Sequence, residues 1–224
     1  MARELSKTVK EVSEPQSMTI YGDNGEVLSK YSPELLDTIK DTVAKGASNH
    51  ELYMFLQVAS SYGLNPFKKE IYFVKMKTGN AIMTTRDGYL KIASEKPDFK
   101  KIQSVAVYEN DTFEVQMEMG EVVNIKHNFT QNDRGKIVCA YCVLFTHSEN
   151  DLFTIANFRE HTQGNQIWKK YPSLMIRKVA EADVLKRYAN ISGLMTVEEA
   201  PTEFQREIEV DDYVSDDSFV NEED

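Results

Sequence analysis

The chain has 224 residues, 41% hydrophobic and 28% charged, which is enough apolar material for a buried core at an ordinary charge content. No apolar run reaches the roughly 18 residues that cross a bilayer, and the opening MARELSKTVKEVSEPQS has no apolar signal core, so neither a membrane nor export is expected and a cytoplasmic setting is. The net charge of −10 argues against nucleic acid until its distribution is read: residues 198–224 hold twelve acids against one base, Arg206, a net of −11 that leaves +1 on residues 1–197.

Residues 1–30 are polar, with Pro15 and the turn-like Gly22-Asp23-Asn24-Gly25, and are expected to form a flexible N-terminal arm. Helix signals follow. Ser32 is a good N-cap, Pro33 suits the first helical position and Glu34 favours the positive end of the helix dipole. That helix is expected to run to about Lys45 and stop at Gly46. Ser48 and Glu51 then form an S-x-x-E capping box, and Leu52, Phe55, Leu56 and Ala59 repeat at i, i+3, i+4 and i+7 along one apolar face. Gly63 supplies the C-terminal cap and Pro66 prevents continuation.

EIYFVKM and AIMTT, joined through Thr78-Gly79-Asn80, read as a hairpin. RDGYLKIASE (86–95) reads as a helix, broken by Pro97. From 101 to 158 the pattern is strand-like: KIQSVAVYE, TFEVQMEM, EVVNIKHNF, KIVCAYCVLF and DLFTIANF, with turns at Asn110-Asp111, Gly120, Asn132 to Gly135 and Glu149 to Asp151. A long helix runs from near Pro172 to about Asn190, with Gly193 beyond. No internal repeat is present. Helices, strands and a final helix predict an α+β fold: one core domain over 31–197 with an antiparallel sheet flanked by helices, followed by an acidic, disordered tail over 198–224.

Catalytic signatures are absent: there is no phosphate loop, no G-x-S-x-G and no H-E-x-x-H. No catalytic residue, metal or cofactor is therefore expected. Cys139 and Cys142 form a lone C-x-x-C; three positions apart on a strand they face opposite ways, which suits burial better than a shared metal. Asp111, Asp133 and Asp151 sit where turns are expected, with turn-forming roles.

The basic residues carry more. Residues 62–101 hold nine Lys or Arg against four acids, and 159–191 seven against three. Lys169 and Lys170 precede the last helix, and Arg177, Lys178, Lys186 and Arg187 lie on it. Lys178 and Lys186, eight apart, share one broad side about two turns from each other. A row of phosphate contacts and a plain solvated face both fit this spacing. Trp168 and Tyr171 likewise fit either base stacking or the core, and Lys68, Lys69, Lys75, Lys77, Arg86 and Lys91 invite the same two readings.

Three ordered blocks decide between them. Ser61 to Tyr72, S-Y-G-L-N-P-F-K-K-E-I-Y, follows the apolar helix and leads into a strand; Arg86-Asp87-Gly88-Tyr89 with Ile92 and Phe99 comes next; Trp168, Tyr171-Pro172, Met175, Lys178 and Lys186-Arg187 close the set. Together they resemble the Bet branch of the phage single-strand annealing proteins related to RecT, over roughly residues 48–195. The resemblance implies an α+β core that assembles into rings or helical filaments in the bacterial host cytoplasm. It implies ATP-independent binding of single-stranded DNA and of the annealed duplex during homologous recombination, with a phage exonuclease or host single-strand binding protein as further partners. It places DNA contacts on Lys69, Arg86, Lys178 and Lys186, and also on Arg177 and Arg187; Lys169 and Lys170, just before the last helix, join the DNA-binding set on their charge. Ser173 and Leu174 stand where the family pattern is basic. The rival readings are a non-catalytic assembly protein and a metal-dependent nuclease. For the acidic tail, a solubilising end and a cover for the DNA groove are both open.

Overall fold

A computed structural model describes residues 18–21, 27–76, 79–119, 121–130, 132–162 and 166–196. The expected acidic tail and the first 17 residues lie outside them. The described part is a mixed α and β fold, as the sequence predicts.

The chain enters through β1 (Met18–Tyr21) and β2 (Val27–Tyr31), an antiparallel pair packed on the second helix. Part of the expected flexible arm is thus a hairpin. Its anchor is Ile20, fully buried, which the surrounding polar composition hides. Helix α1 (Pro33–Thr42) has Ser32 as N-cap and Pro33 in its first turn, and ends about a turn short of Lys45. Helix α2 (Asn49–Ser61) carries the expected capping box: the Ser48 hydroxyl accepts from Glu51 N–H, and Glu51 accepts from Ser48 N–H. Those bonds, with Lys75, draw the Glu51 carboxyl down to about 2. Leu52, Phe55, Leu56 and Ala59 are its buried stripe.

Strands β3 (Ile71–Met76) and β4 (Gly79–Thr84) form the expected hairpin, and β10 (Met195–Thr196) joins β4 in parallel. Helix α3 (Arg86–Ser94) follows, capped by Thr85. Its Gly88 lies so tightly on this hairpin that an added Cβ would sit 2.0 Å from Thr84 Oγ1 and 2.6 Å from the Glu70 carbonyl oxygen. Only glycine fits there. One residue on, Tyr89 is fully buried and donates its hydroxyl to the Leu194 carbonyl at 2.8 Å, tying the end of the described chain to α3.

The strands after α3 do not make one sheet. β5 (Phe99–Tyr108), β8 (Ile137–Thr146) and β9 (Leu152–Asn157) pair antiparallel in the order β5-β8-β9, whereas β6 (Thr112–Glu118) and β7 (Glu121–Asn128) form, among the described residues, a separate two-stranded pair. Two short helices, α4 (Phe158–His161) and α5 (Gln166–Lys170), then lead to α6 (Pro172–Ala189). Helix α6 packs against all three strands of the β5-β8-β9 sheet and against α3. Its buried residues, Ile176, Val179, Ala180, Ala182, Val184, Leu185 and Ala189, face almost every direction around the axis, the pattern of an enclosed helix.

Strand β8 is apolar on both sides. Ala140, Cys142 and Leu144 face α6 with no exposure, while Tyr141, Val143 and Phe145 lie half-buried on the opposite side. Cys139 and Cys142 are both buried, on opposite faces of the strand, and burial pushes the Cys142 thiol up to about 12.

Candidate nucleic-acid interface

The first of the three sequence blocks builds one tight loop. Gly63, at φ +63°, closes α2, and Leu64 N–H reaches back to the Ala59 carbonyl at 2.8 Å, a Schellman end. Leu64 and Pro66 are buried, and the Asn65 side chain caps a single 3-10 turn (Pro66–Lys68) by accepting from Phe67 N–H at 2.9 Å. Glu70 closes the loop: its carboxylate accepts from Asn65 N–H and from the Lys91 ammonium, both at 2.7 Å. Burial alone would raise the Glu70 pKa, but Lys91 and the Asn65 N–H together bring it below the ordinary value. Lys91 also donates to the Gly63 carbonyl at 2.6 Å. The loop so fixed presents Phe67, Lys68 and Lys69 to solvent, with Lys69 in the left-handed region at φ 57°.

The second basic group lies at the start of α6. Lys169 and Lys170 are exposed on α5, and the Lys170 ammonium sits 5.1 Å from the centre of the Tyr171 ring, which is itself exposed. Trp168 is 2% exposed and packs beside Phe158, so of the two readings left open for it the structure takes the core. Pro172 opens the helix, as expected.

Along α6 the picture changes. Arg177, Lys178 and Lys186 are half-buried, and only Leu174 and Arg187 are exposed within the helix. Arg177 Nε donates to the Ser173 carbonyl at 3.4 Å, and Arg187 donates to the Phe153 carbonyl of β9 at 2.7 Å. The helix's acids reach the sheet: Glu181, largely buried, accepts from the Ser104 hydroxyl of β5, and Asp183, half-exposed, from the Thr154 hydroxyl of β9. Arg86, at the start of α3, meets Glu181 from the other side. Its Nε lies 3.0 Å from Glu181 Oε2, a charge contact without the alignment of a hydrogen bond, and another of its nitrogens lies 2.8 Å from Asp87 Oδ1. The structure therefore brings Arg86 within one helical turn of Arg177 and Lys178 through Glu181. It sets Lys186 and Arg187 toward the far end of the helix, about 12 Å from Lys178 along the axis.

A third polar group escapes sequence reasoning. Asp111, expected only to form a turn, has a side chain 1% exposed and joins three segments at the base of the β6–β7 hairpin. It accepts from Arg134 Nη2 at 2.6 Å and from Tyr108 N–H at 2.8 Å, and lies 3.0 Å from His127 Nε2. The Arg134 guanidinium holds its carboxyl well below the usual range, against the opposing effect of burial. Arg134 is itself sandwiched between the Tyr108 and Phe129 rings, at 4.1 and 3.9 Å from their centres. Beside this clamp an open cleft of about 600 Å³ lies between the hairpin and the outer face of the sheet, lined by apolar residues such as Val122, Tyr141 and Val143 and by polar ones such as Gln103 and Asn124. Among the described residues no group of three or more His, Cys, Asp or Glu is placed to hold a metal ion. The Asp111 cluster is a mechanical joint, with its guanidinium, imidazole and carboxylate occupied by one another.

The model of the RecT family matches residues 29–212, which takes in nearly every element described above. Recombination protein bet of Escherichia phage lambda is 40% identical over 68 residues, 30% of this chain and 26% of that protein. The matched stretch thus spans about a quarter of the phage protein's length. The family model spans well over half of this chain, and on that ground the protein is a member of the RecT family.

Proposed function

We propose that this protein binds single-stranded DNA and anneals complementary strands without nucleotide hydrolysis, acting as an oligomer in phage recombination. The observation that carries this reading is the family match across residues 29–212. The exposed lysines of the Phe67–Lys69 loop and of α5 support it.

The physical task sets the requirements. Pairing of complementary strands is downhill by about 1.4 kcal/mol per base step, so no energy source is needed. The obstacle is repulsion between two polyanions, which lysine and arginine contacts offset by releasing counterions. Sequence is read by the bases themselves, and the protein contacts the backbone. We assign backbone contacts to Lys69, Arg86, Lys169, Lys170, Arg177, Lys178, Lys186 and Arg187. Within this set the residues differ in what they have to spare. Lys169 and Lys170 are exposed at the head of α6, whereas Arg86 lies between the carboxylates of Asp87 and Glu181 and has to exchange one of them for a phosphate. Single strands, the annealed duplex and further copies of the chain are the partners, with an exonuclease or host single-strand binding protein as accessory ones; the setting is the cytoplasm of the bacterial host.

The test is renaturation of complementary oligonucleotides in the absence of ATP, with particles viewed by negative-stain microscopy. Accelerated pairing with ring or filament particles is the expected result. Pairing at the spontaneous rate across a wide range of salt would overturn the reading. The double variant Lys178→Ala/Lys186→Ala is expected to weaken single-strand binding and to lower the slope of log affinity against log salt by about 1.4, from 0.7 per single-strand phosphate contact; an unchanged slope removes these two residues from the interface.

A further inference from the structure

Phe67 is 51% exposed, although phenylalanine has no polar atom to reward exposure. The loop that holds it is not loose. Its two flanking residues are fixed from both sides, Pro66 by burial and Lys68 by the turn, in which Lys68 N–H and Lys69 N–H reach the Asn65 and Pro66 carbonyls at 3.2 and 3.1 Å. The Asn65 cap and the Glu70–Lys91 pair lock the turn from either end. The other exposed aromatics among the described residues are Tyr21, Tyr53, Phe129 and Tyr171, and the three tyrosines carry a hydroxyl that water rewards. Phe129 lies against the Arg134 guanidinium and Tyr171 under the Lys170 ammonium, whereas among the described residues no ring or cation is stacked on Phe67. Two exposed lysines follow it directly in the chain.

We propose that Phe67 is a nucleobase-stacking platform, on which a base of the bound single strand lies while the Lys68 and Lys69 ammonium groups engage the adjoining phosphates. This rests on the single-strand binding proposed above and names a residue that acts on the base rather than on the backbone. The chemistry is the one an unpaired nucleotide offers: a flat apolar face next to a fixed negative charge. A rigid ring beside two cations matches both parts. The platform is indifferent to sequence, because every base has a π-face, and it is idle toward a continuous duplex, whose bases are already stacked.

The test compares a single-stranded oligonucleotide with an abasic strand of the same length and phosphate count, each titrated by fluorescence anisotropy against the full-length protein. For the base-bearing strand, Phe67→Ala is expected to lose about 5- to 150-fold in affinity, the range that one base–aromatic stack supports. Binding of the abasic strand and the salt slope on both strands should stay as in the native protein. Phe67→Leu, which keeps apolar bulk but not a flat face, should behave like the alanine variant. Phe67→Trp should retain affinity, and its added fluorescence should be quenched by the base-bearing strand alone; the one native tryptophan, Trp168, is buried. Native-like binding of both strands by Phe67→Ala, or equal losses on both, overturns the proposal while single-strand binding itself stands. Failure of the native protein to bind either strand overturns both.

Discussion

Strand β8 is covered twice, and the two covers are built differently. On its inner side Ala140, Cys142 and Leu144 are sealed by α6, with Ser104 and Thr154 of the neighbouring strands pinning the helix through Glu181 and Asp183. On its outer side Tyr141, Val143 and Phe145 meet a two-stranded arm that leaves a cleft and is fastened at its base by Asp111. The inner cover is continuous apolar packing with polar pins; the outer one is a two-stranded arm held at its base by an ionic cluster. Apolar residues on both faces of one strand thus do not imply equal rigidity on the two faces. The inner side is therefore expected to carry more of the stability, and the outer side to open first.

The largest effect expected from this contrast belongs to the inner face. Leu144→Ala should cost about 2–5 kcal/mol, because a fully buried leucine leaves a cavity in a dense core; chemical denaturation measures it, and a cost under about 1 kcal/mol would erase the distinction between the faces. Asp111→Asn comes next. It removes the charge that Arg134 and His127 share, at a cost of about 2 kcal/mol, and should raise amide exchange in β6 and β7 far more than in β8. Its pH dependence has a definite sign. The Asp111 carboxyl is held below its ordinary value, so its stabilisation is complete above the unfolded carboxylate range near pH 4 and is lost as pH falls below it. The native protein should lose stability in acid by that amount, and the Asn variant should lack this part of the decline. The smallest effect on stability lies off both faces: Lys169→Ala/Lys170→Ala should shift it by no more than about 0.5 kcal/mol while lowering single-strand affinity, which would separate surface charge from fold.

What the sequence made legible is local. The capping box of α2, the Gly63 stop, the β3–β4 hairpin and the Pro172 start of α6 rest on neighbours a few residues apart, and all appear where expected. The split of the strands into separate sheets was not legible, because pairing of β5 with β8 spans the whole β6–β7 hairpin and no local pattern encodes it. The same holds for Asp111, whose turn position is evident but whose partners His127 and Arg134 arrive from 16 and 23 residues downstream. On α6 the apolar residues around the whole circumference do mark an enclosed helix, and a reading that weighed only its basic residues misses it. Gly88 was recognisable as part of a motif, but its reason, contact with Thr84 and Glu70, exists only in the folded chain.

The parallel pairing of β10 with β4 also fixes where the chain departs. Thr196 stands in register with Thr84, two residues before Arg86. Neighbouring strands lie about 4.8 Å apart, so the last described residue stands one strand spacing from the strand that leads into α3. The Thr196–Thr84 register and the Tyr89–Leu194 bond therefore anchor residues 194–196 at two points, one on β4 and one on α3, that flank Arg86 in the sequence.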